Sequence, residues 1–276
     1  LPIYNGAAGD GGAVNITQNG SIKTTGTGSV GIVAQSVGGG GGYVSFMTNC
    51  TGCIIEGGSN LAIGAHSSSS SNGNGGVVNV TNTGNISMTG TNAIAILAQS
   101  VGGGGGAFVT SGTGTINPTY NAGTGYGGAV TVNVNAPITV SGTNATGVVA
   151  ESVGGGGGLA VSGSVTTYGG GKGTGYGGAV NVYAKASITG KGRNANPIYV
   201  STVNGKADPY VEIGPNSVVS VSGGGTAIAI NGVNNRLVNY GSILVGDALA
   251  DKAVDILGPG VNDFQNYGKI SGGINN

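Results

Sequence analysis

The chain has 276 residues, 63 of them Gly, with nine basic and nine acidic side chains that cancel. No Gly-X-Y period runs through the glycines, which excludes collagen, and alternating β-branched segments that recur in register exclude a disordered chain. Between Lys23 and Lys172 there is no Lys or Arg, and the only acids are Glu56 and Glu151; nucleic acid, whose phosphates need clustered Lys and Arg, is excluded as a partner. So neutral a surface lacks the net charge that normally keeps copies apart. No apolar run is long enough to cross a bilayer as a helix. Without an initiator Met or a signal peptide, the chain reads as a segment of a longer precursor.

Residues 11–42 set the pattern. Val14, Ile16 and Ile22 alternate with Asn, Thr and Ser in period two, the signature of strands. Asn19-Gly20 marks a turn between two such runs, and Ser29 to Val37 is a third, more apolar strand. Three short strands in about 25 residues fit one coil of a parallel β-solenoid. The rival, an antiparallel sandwich, does not require the same pattern to recur.

It does recur. A Gly-Gly pair opens each copy at Gly11-Gly12, Gly75-Gly76 and Gly127-Gly128. A strand ending Gln35-Ser36-Val37, Gln99-Ser100-Val101 or Glu151-Ser152-Val153 closes it. From the first glycine to the Ser is 25 positions each time (11 to 36, 75 to 100, 127 to 152). A glycine run follows every copy: Gly38, Gly39, Gly40, Gly41, Gly42; then Gly102, Gly103, Gly104, Gly105, Gly106; then Gly154, Gly155, Gly156, Gly157, Gly158. A fixed core with variable insertions is a repeat architecture, its insertions mapping to loops. If the runs share one angular position they form a bare-backbone seam that another strand or molecule approaches closely; otherwise they are hinges into the insertions.

The first insertion, 43–74, holds Cys50, Cys53 and the tract Ser67 to Ser71, which reads as a loop tip. Later insertions end alike in Gly123-Thr124-Gly125-Tyr126 and Gly173-Thr174-Gly175-Tyr176, so Tyr126 and Tyr176 take equivalent places and are expected to stack. Units fall near 11–74, 75–126 and 127–176, with a degenerate fourth at 177–205. Lys206 to Pro215, with two prolines and several charges, reads as a boundary within a chain of two parts, 1–205 and 206–276. Beyond it, Asn239-Tyr240-Gly241-Ser242-Ile243 and Asn266-Tyr267-Gly268-Lys269-Ile270 repeat the turn of Asn82-Thr83-Gly84-Asn85-Ile86. One turn chemistry from end to end predicts one continuous solenoid, with the Ile after each turn pointing inward.

The Gln-Ser-Val-polyglycine repeat, its Gly-Gly-Ala-Val lead-in and the Asn-x-Gly-x-Ile turns resemble the passenger regions of large bacterial autotransporter adhesins (type V secretion). The resemblance is close over 11–203 and looser over 216–276, and the sequence departs from it in carrying no C-terminal translocator barrel. It implies a right-handed parallel β-helix, export to the extracellular side of the outer membrane, and adhesion to cells, matrix or sister bacteria, including autoaggregation and biofilm.

Catalytic motifs fail on detail. Gly169-Gly170-Gly171-Lys172-Gly173-Thr174 looks like a phosphate loop, but Gly173 separates Lys from Thr and no helix follows. His66 is the only His, so a Ser-His-Asp triad lacks a held base. A calcium nonapeptide array needs more than the fragment Gly9-Asp10-Gly11-Gly12. Asp247, Asp251, Lys252 and Asp255 have a spacing that aligns on a helix, and 247–254 is the most helix-like stretch; solvated surface charge is the plainer reading. Cys50 and Cys53 have no second pair for zinc, and in an exported chain a small disulfide loop is favoured. No catalytic, metal or cofactor site is expected.

The sequence therefore predicts an all-β solenoid that acts by surface contact, not as an enzyme. The leading expectation is an adhesin segment contacting a host or bacterial surface protein or glycan. Insertions 43–74 and 107–126 supply the contacts, with Tyr43, Phe46 and Tyr120 as candidate contact residues. Two alternatives stand: a self-assembling extracellular fibre subunit, whose open strand edges add the next copy, and a carbohydrate-active β-helix enzyme, which needs paired carboxylates in a cleft.

Overall fold

The computed structural model describes residues 9–46, 73–110, 123–162, 165–170, 173–246 and 250–275, and all regular structure among them is β-strand. The chain is a parallel β-solenoid. Three seven-stranded parallel sheets wrap one core. The first face stacks Val14–Gln18, Val78–Asn82, Val130–Val134, Val180–Ala184, Tyr210–Ile213, Arg236–Asn239 and Asp263–Asn266. The second stacks Ile22–Thr24, Ile86–Thr89, Ile138–Ser141, Ile188–Lys191, Val218–Ser222, Ser242–Val245 and Lys269–Ser271. The third stacks Val30–Val37, Ile94–Val101, Thr146–Val153, Asn196–Val203, Thr226–Asn231, Lys252–Ile256 and Gly273–Asn275.

Period-two alternation becomes columns of like side chains. Ile22, Ile86, Ile138, Ile188, Val219, Ile243 and Ile270 sit in register along the second face. The five inner members are buried and the two terminal ones half-buried, because only a coil covered on both sides dries its core. This is the inward Ile that the turn motif predicts. The turn from second to third face has its own column: Asn92, Asn144 and Asn194 hold φ of 58°, 55° and 56°. Asn144 donates to Asn92 Oδ1 at 3.1 Å, and Asn194 to Asn144 Oδ1 at 3.2 Å. Asn tolerates this left-handed backbone, and its amide replaces the bonds that the turn cannot make.

The fixed 25-position spacing has a physical cause. Ser36, at the end of the first coil, donates to the Gly12 carbonyl at 2.7 Å and accepts from Gly76 N–H, which opens the next coil, at 2.8 Å. Ser100 does the same with Gly76 and Gly128, and Ser152 with Gly128 and Gly178. One hydroxyl thus closes its own coil and fastens the next. A side chain on Gly11, Gly75 or Gly127 would overlap the Ser hydroxyl, so glycine is required there.

Two expectations are corrected. The described starts of the insertions are not loops: Gly41–Phe46, Gly105–Thr110 and Gly157–Ser162 form a parallel outer sheet, closed by the antiparallel strand Val165–Gly170. This sheet covers part of the third face over a second core that includes Leu97, Val149, Leu159 and Tyr199. Its three parallel strands read as loop because their first residues are glycines, while their parallel partners lie 64 and 52 positions away (Gly41 to Gly105, Gly105 to Gly157). The segment 206–215 carries the stack on: Tyr210–Ile213 pairs with Val180–Ala184 on one side and Arg236–Asn239 on the other. Second, Lys252–Ile256 is a strand, not helix. Asp251 and Asp255 are buried: Asp251 Oδ1 accepts the Gly224 and Gly225 amides at 2.6 and 2.7 Å, and Asp255 meets Lys252 and Asn275. They secure a corner and a strand; Asp247 lies outside the described residues.

Candidate functional site

The glycine runs occupy one angular position. Gly41, Gly105 and Gly157 are register partners, as are Gly42, Gly106 and Gly158. Segments returning from the insertions lie against them: Gly103 N–H donates to Gly73 O at 2.9 Å and Gly155 N–H to Gly125 O at 3.0 Å. Gly105 has φ of 144°, and a Cβ there would lie inside the Gly157 carbonyl. The backbones are therefore packed to a separation that only hydrogen side chains permit. What approaches them is the chain's own outgoing and returning segments. Beside this neck stand Tyr126 and Tyr176, with ring centroids 6.0 Å apart and tilted by 33°, and Lys206 Nζ 4.3 Å from the Tyr176 centroid. The Asp10 carboxylate accepts the Asn74 backbone N–H at 2.7 Å here.

The glycines also leave room for a polar ladder. Gln35 donates to Gln99 Oε1 at 2.6 Å, and Gln99 donates to Glu151 Oε2 at 2.7 Å. A Cβ on Gly158 would touch Gln99 Nε2 at 3.1 Å. Gln99 and Glu151 are fully buried, and burial, only partly offset by the Gln99 hydrogen bond, pushes the Glu151 carboxyl from its ordinary 4.5 up to about 7. Burial and the adjacent Glu151 also raise the Tyr199 phenol.

An open groove of about 620 Å³ lies outside the first face, over its last four coils. Its floor is one register column, Asn181, Tyr210, Arg236 and Asp263. Tyr183 and Glu212 line it on the neighbouring column, and Asp208, Pro209, Asn234 and Val261 come from the turns that enter the face. The Tyr183 and Tyr210 centroids are 5.7 Å apart, and Arg236 Cζ lies 5.4 Å from the Tyr210 ring. Tyr210 O–H donates to Glu212 Oε2 at 2.7 Å; partial burial and this bond raise its phenol, so the proton stays on Tyr210. Asp208 accepts from Asn234 at 3.3 Å, and Asp263 pairs with Arg236 at 3.1 Å. Each carboxylate is steadied by a donor, an arrangement suited to positioning hydroxyls or amines.

Among the described residues, no group of three or more His, Cys, Asp or Glu is placed to hold a metal ion. Of the sequence-selected contact residues, Tyr43 is half-buried against the second core. Phe46 belongs to an outer-sheet strand whose side chains there are not described, and Tyr120 lies outside the described residues. So do Cys50, Cys53 and His66. Sequence reasoning missed the groove because its lining comes from four coils and repeats no motif. The hint in one dimension was Tyr183 and Tyr210 in outward strand positions. No family model matches the chain, nor does any curated protein or solved structure.

Proposed function

We propose that the chain is an exported, adhesive rod segment of the autotransporter-passenger kind, acting at the bacterial surface by contact and without catalysis. The observation that carries this reading is the arrangement of aromatic pairs on the outside of a rigid, nearly neutral stack. Tyr126 with Tyr176, Tyr183 with Tyr210, and Tyr240 with Tyr267 (centroids 5.2 Å apart) lie along the rod, while the aliphatic side chains fill its inside. Aromatic side chains give much contact area with little ordering entropy, and a rigid scaffold presents them without a folding cost on binding. The repeat and turn motifs support the export route by resemblance.

The test displays the purified chain on fluorescent beads and counts their attachment to epithelial cells, to matrix-coated wells and to a bacterial lawn. Attachment to at least one surface, above that of beads bearing an unrelated β-solenoid, is expected. Attachment to none of them overturns the reading. Light scattering on the same preparation separates the fibre reading, in which the chain polymerises unaided.

A further inference from the structure

The groove on the first face carries chemistry that the general adhesive reading does not specify. Three of its four floor strands are hydrogen-bonded to neighbours on both sides, and the fourth, Asp263–Asn266, is the last of its sheet, so a peptide could be added as a strand only at the end of the stack and not along the groove. Recognition there falls to side chains, and those present are phenols, amides, carboxylates and one guanidinium. They recur along the stack axis at the strand spacing of about 4.8 Å, close to the length of one pyranose unit. Three carboxylates, Asp208, Glu212 and Asp263, against one guanidinium, Arg236, give the lining a formal charge of −2 (one minus three). A polyanion is repelled, while an uncharged or amine-bearing ligand is not. Aliphatic lining is limited to Pro209 and Val261, of which Val261 is 81% exposed, too little for a lipid or an apolar helix. The volume suits a few sugar units.

The geometry points to a binding site for a linear, uncharged or amino-sugar glycan, lying along the stack axis on Asn181, Tyr210, Arg236 and Asp263. The rings of Tyr183 and Tyr210 offer apolar surface to the C–H side of a sugar and a π-system to an ammonium group. Glu212, held by the Tyr210 hydroxyl, and Asp208, held by Asn234, accept hydrogen bonds from sugar hydroxyls or amines. Arg236 and Asn181 supply the donors. This inference rests on the contact reading and names the ligand class for one of its surfaces.

The test is calorimetric titration of the full chain at low ionic strength with three probes: a hexamer of β-1,4-linked N-acetylglucosamine, its de-N-acetylated form, and a heparin-derived hexasaccharide. At least one of the first two binds, and the heparin fragment binds more weakly than either binder. Tyr210→Ala lowers the affinity about tenfold or more, whereas Lys23→Ala, exposed on the second face and away from the groove, leaves it within about twofold. If Tyr210→Ala disturbs the far-ultraviolet circular dichroism, Asp208→Ala and Glu212→Gln carry the same test, each expected to weaken binding about threefold or more. The site is overturned if neither hexamer binds, if heparin binds more tightly than both, or if the groove variants bind as the parent does. Bead attachment without hexamer binding removes the glycan site and leaves adhesion standing; hexamer binding without bead attachment does the reverse.

Discussion

Glu151 offers a direct measure of how dry the space beneath the outer sheet is. Its carboxyl ionises at about 7 in the folded chain and near 4.5 when exposed. Below about 4.5 both states carry the proton, and the group is neutral in its effect. As pH rises from 4.5 towards 7 the unfolded chain ionises first, so the unfolded state binds fewer protons and folding stability falls, by about 1.4 kcal/mol per pH unit. Above 7 both states are ionised and the loss levels off at about 3 kcal/mol. Glu151→Gln keeps the acceptor for Gln99 Nε2 and cannot ionise. The two proteins should therefore be equally stable near pH 3.5, with the variant ahead by about 3 kcal/mol near pH 8. Urea unfolding followed by far-ultraviolet circular dichroism across that range measures the difference, and subtraction cancels every other titrating group. Parallel curves from pH 3.5 to 8 would show that water reaches Glu151 and that the outer sheet does not seal the ladder.

Three further outcomes follow from the packing. Ser100→Ala removes the hydroxyl that donates to Gly76 O and accepts from Gly128 N, both at 2.8 Å; a loss of about 2–3 kcal/mol is expected, with faster hydrogen exchange at the Gly128 amide. Gly105→Ala must place a methyl against the Gly157 carbonyl at a φ of 144°, and should cost more than about 2 kcal/mol. Gly12→Ala meets nothing within 4 Å and should stay within about 0.5 kcal/mol of the parent, so equal melting temperatures for the two glycine variants would refute the packed neck. Ile188→Ala opens a cavity midway along the Ile column and should cost about 3–5 kcal/mol, read from the same urea curves.

Much of the solenoid was legible because its signals are local and repeated. The period-two runs around Val14, Val78, Val130 and Val180 specified strands, and the 25-position spacing specified a coil of constant length. The Asn-x-Gly-x-Ile turns at Asn82, Asn239 and Asn266 were legible too, whereas the corners at Asn92, Asn144 and Asn194 carry a different signal, and it is the structure that identifies them as a hydrogen-bonded column. The outer sheet was hidden, since a strand begun by two glycines carries no propensity and takes its pairing from a partner roughly 50 or more residues distant. The groove was hidden for a related reason: Asn181, Tyr210, Arg236 and Asp263 share no motif, and the register of four coils alone makes them neighbours.

By itself the sequence determined that equivalent segments must stack, because no single coil of Val, Ile and Ala can dry its own inner face. It also determined where each coil turns, because Asn and Gly are the residues that accept the backbone those corners need. Tertiary structure decided what lies outside the coil: the glycine runs meet one another and the returning chain, a carboxylate ends a buried amide ladder, and two tyrosines, an arginine and three acids converge on one face. Those outcomes depend on contacts between different coils, whose register is set by the whole stack and by no stretch of sequence within it.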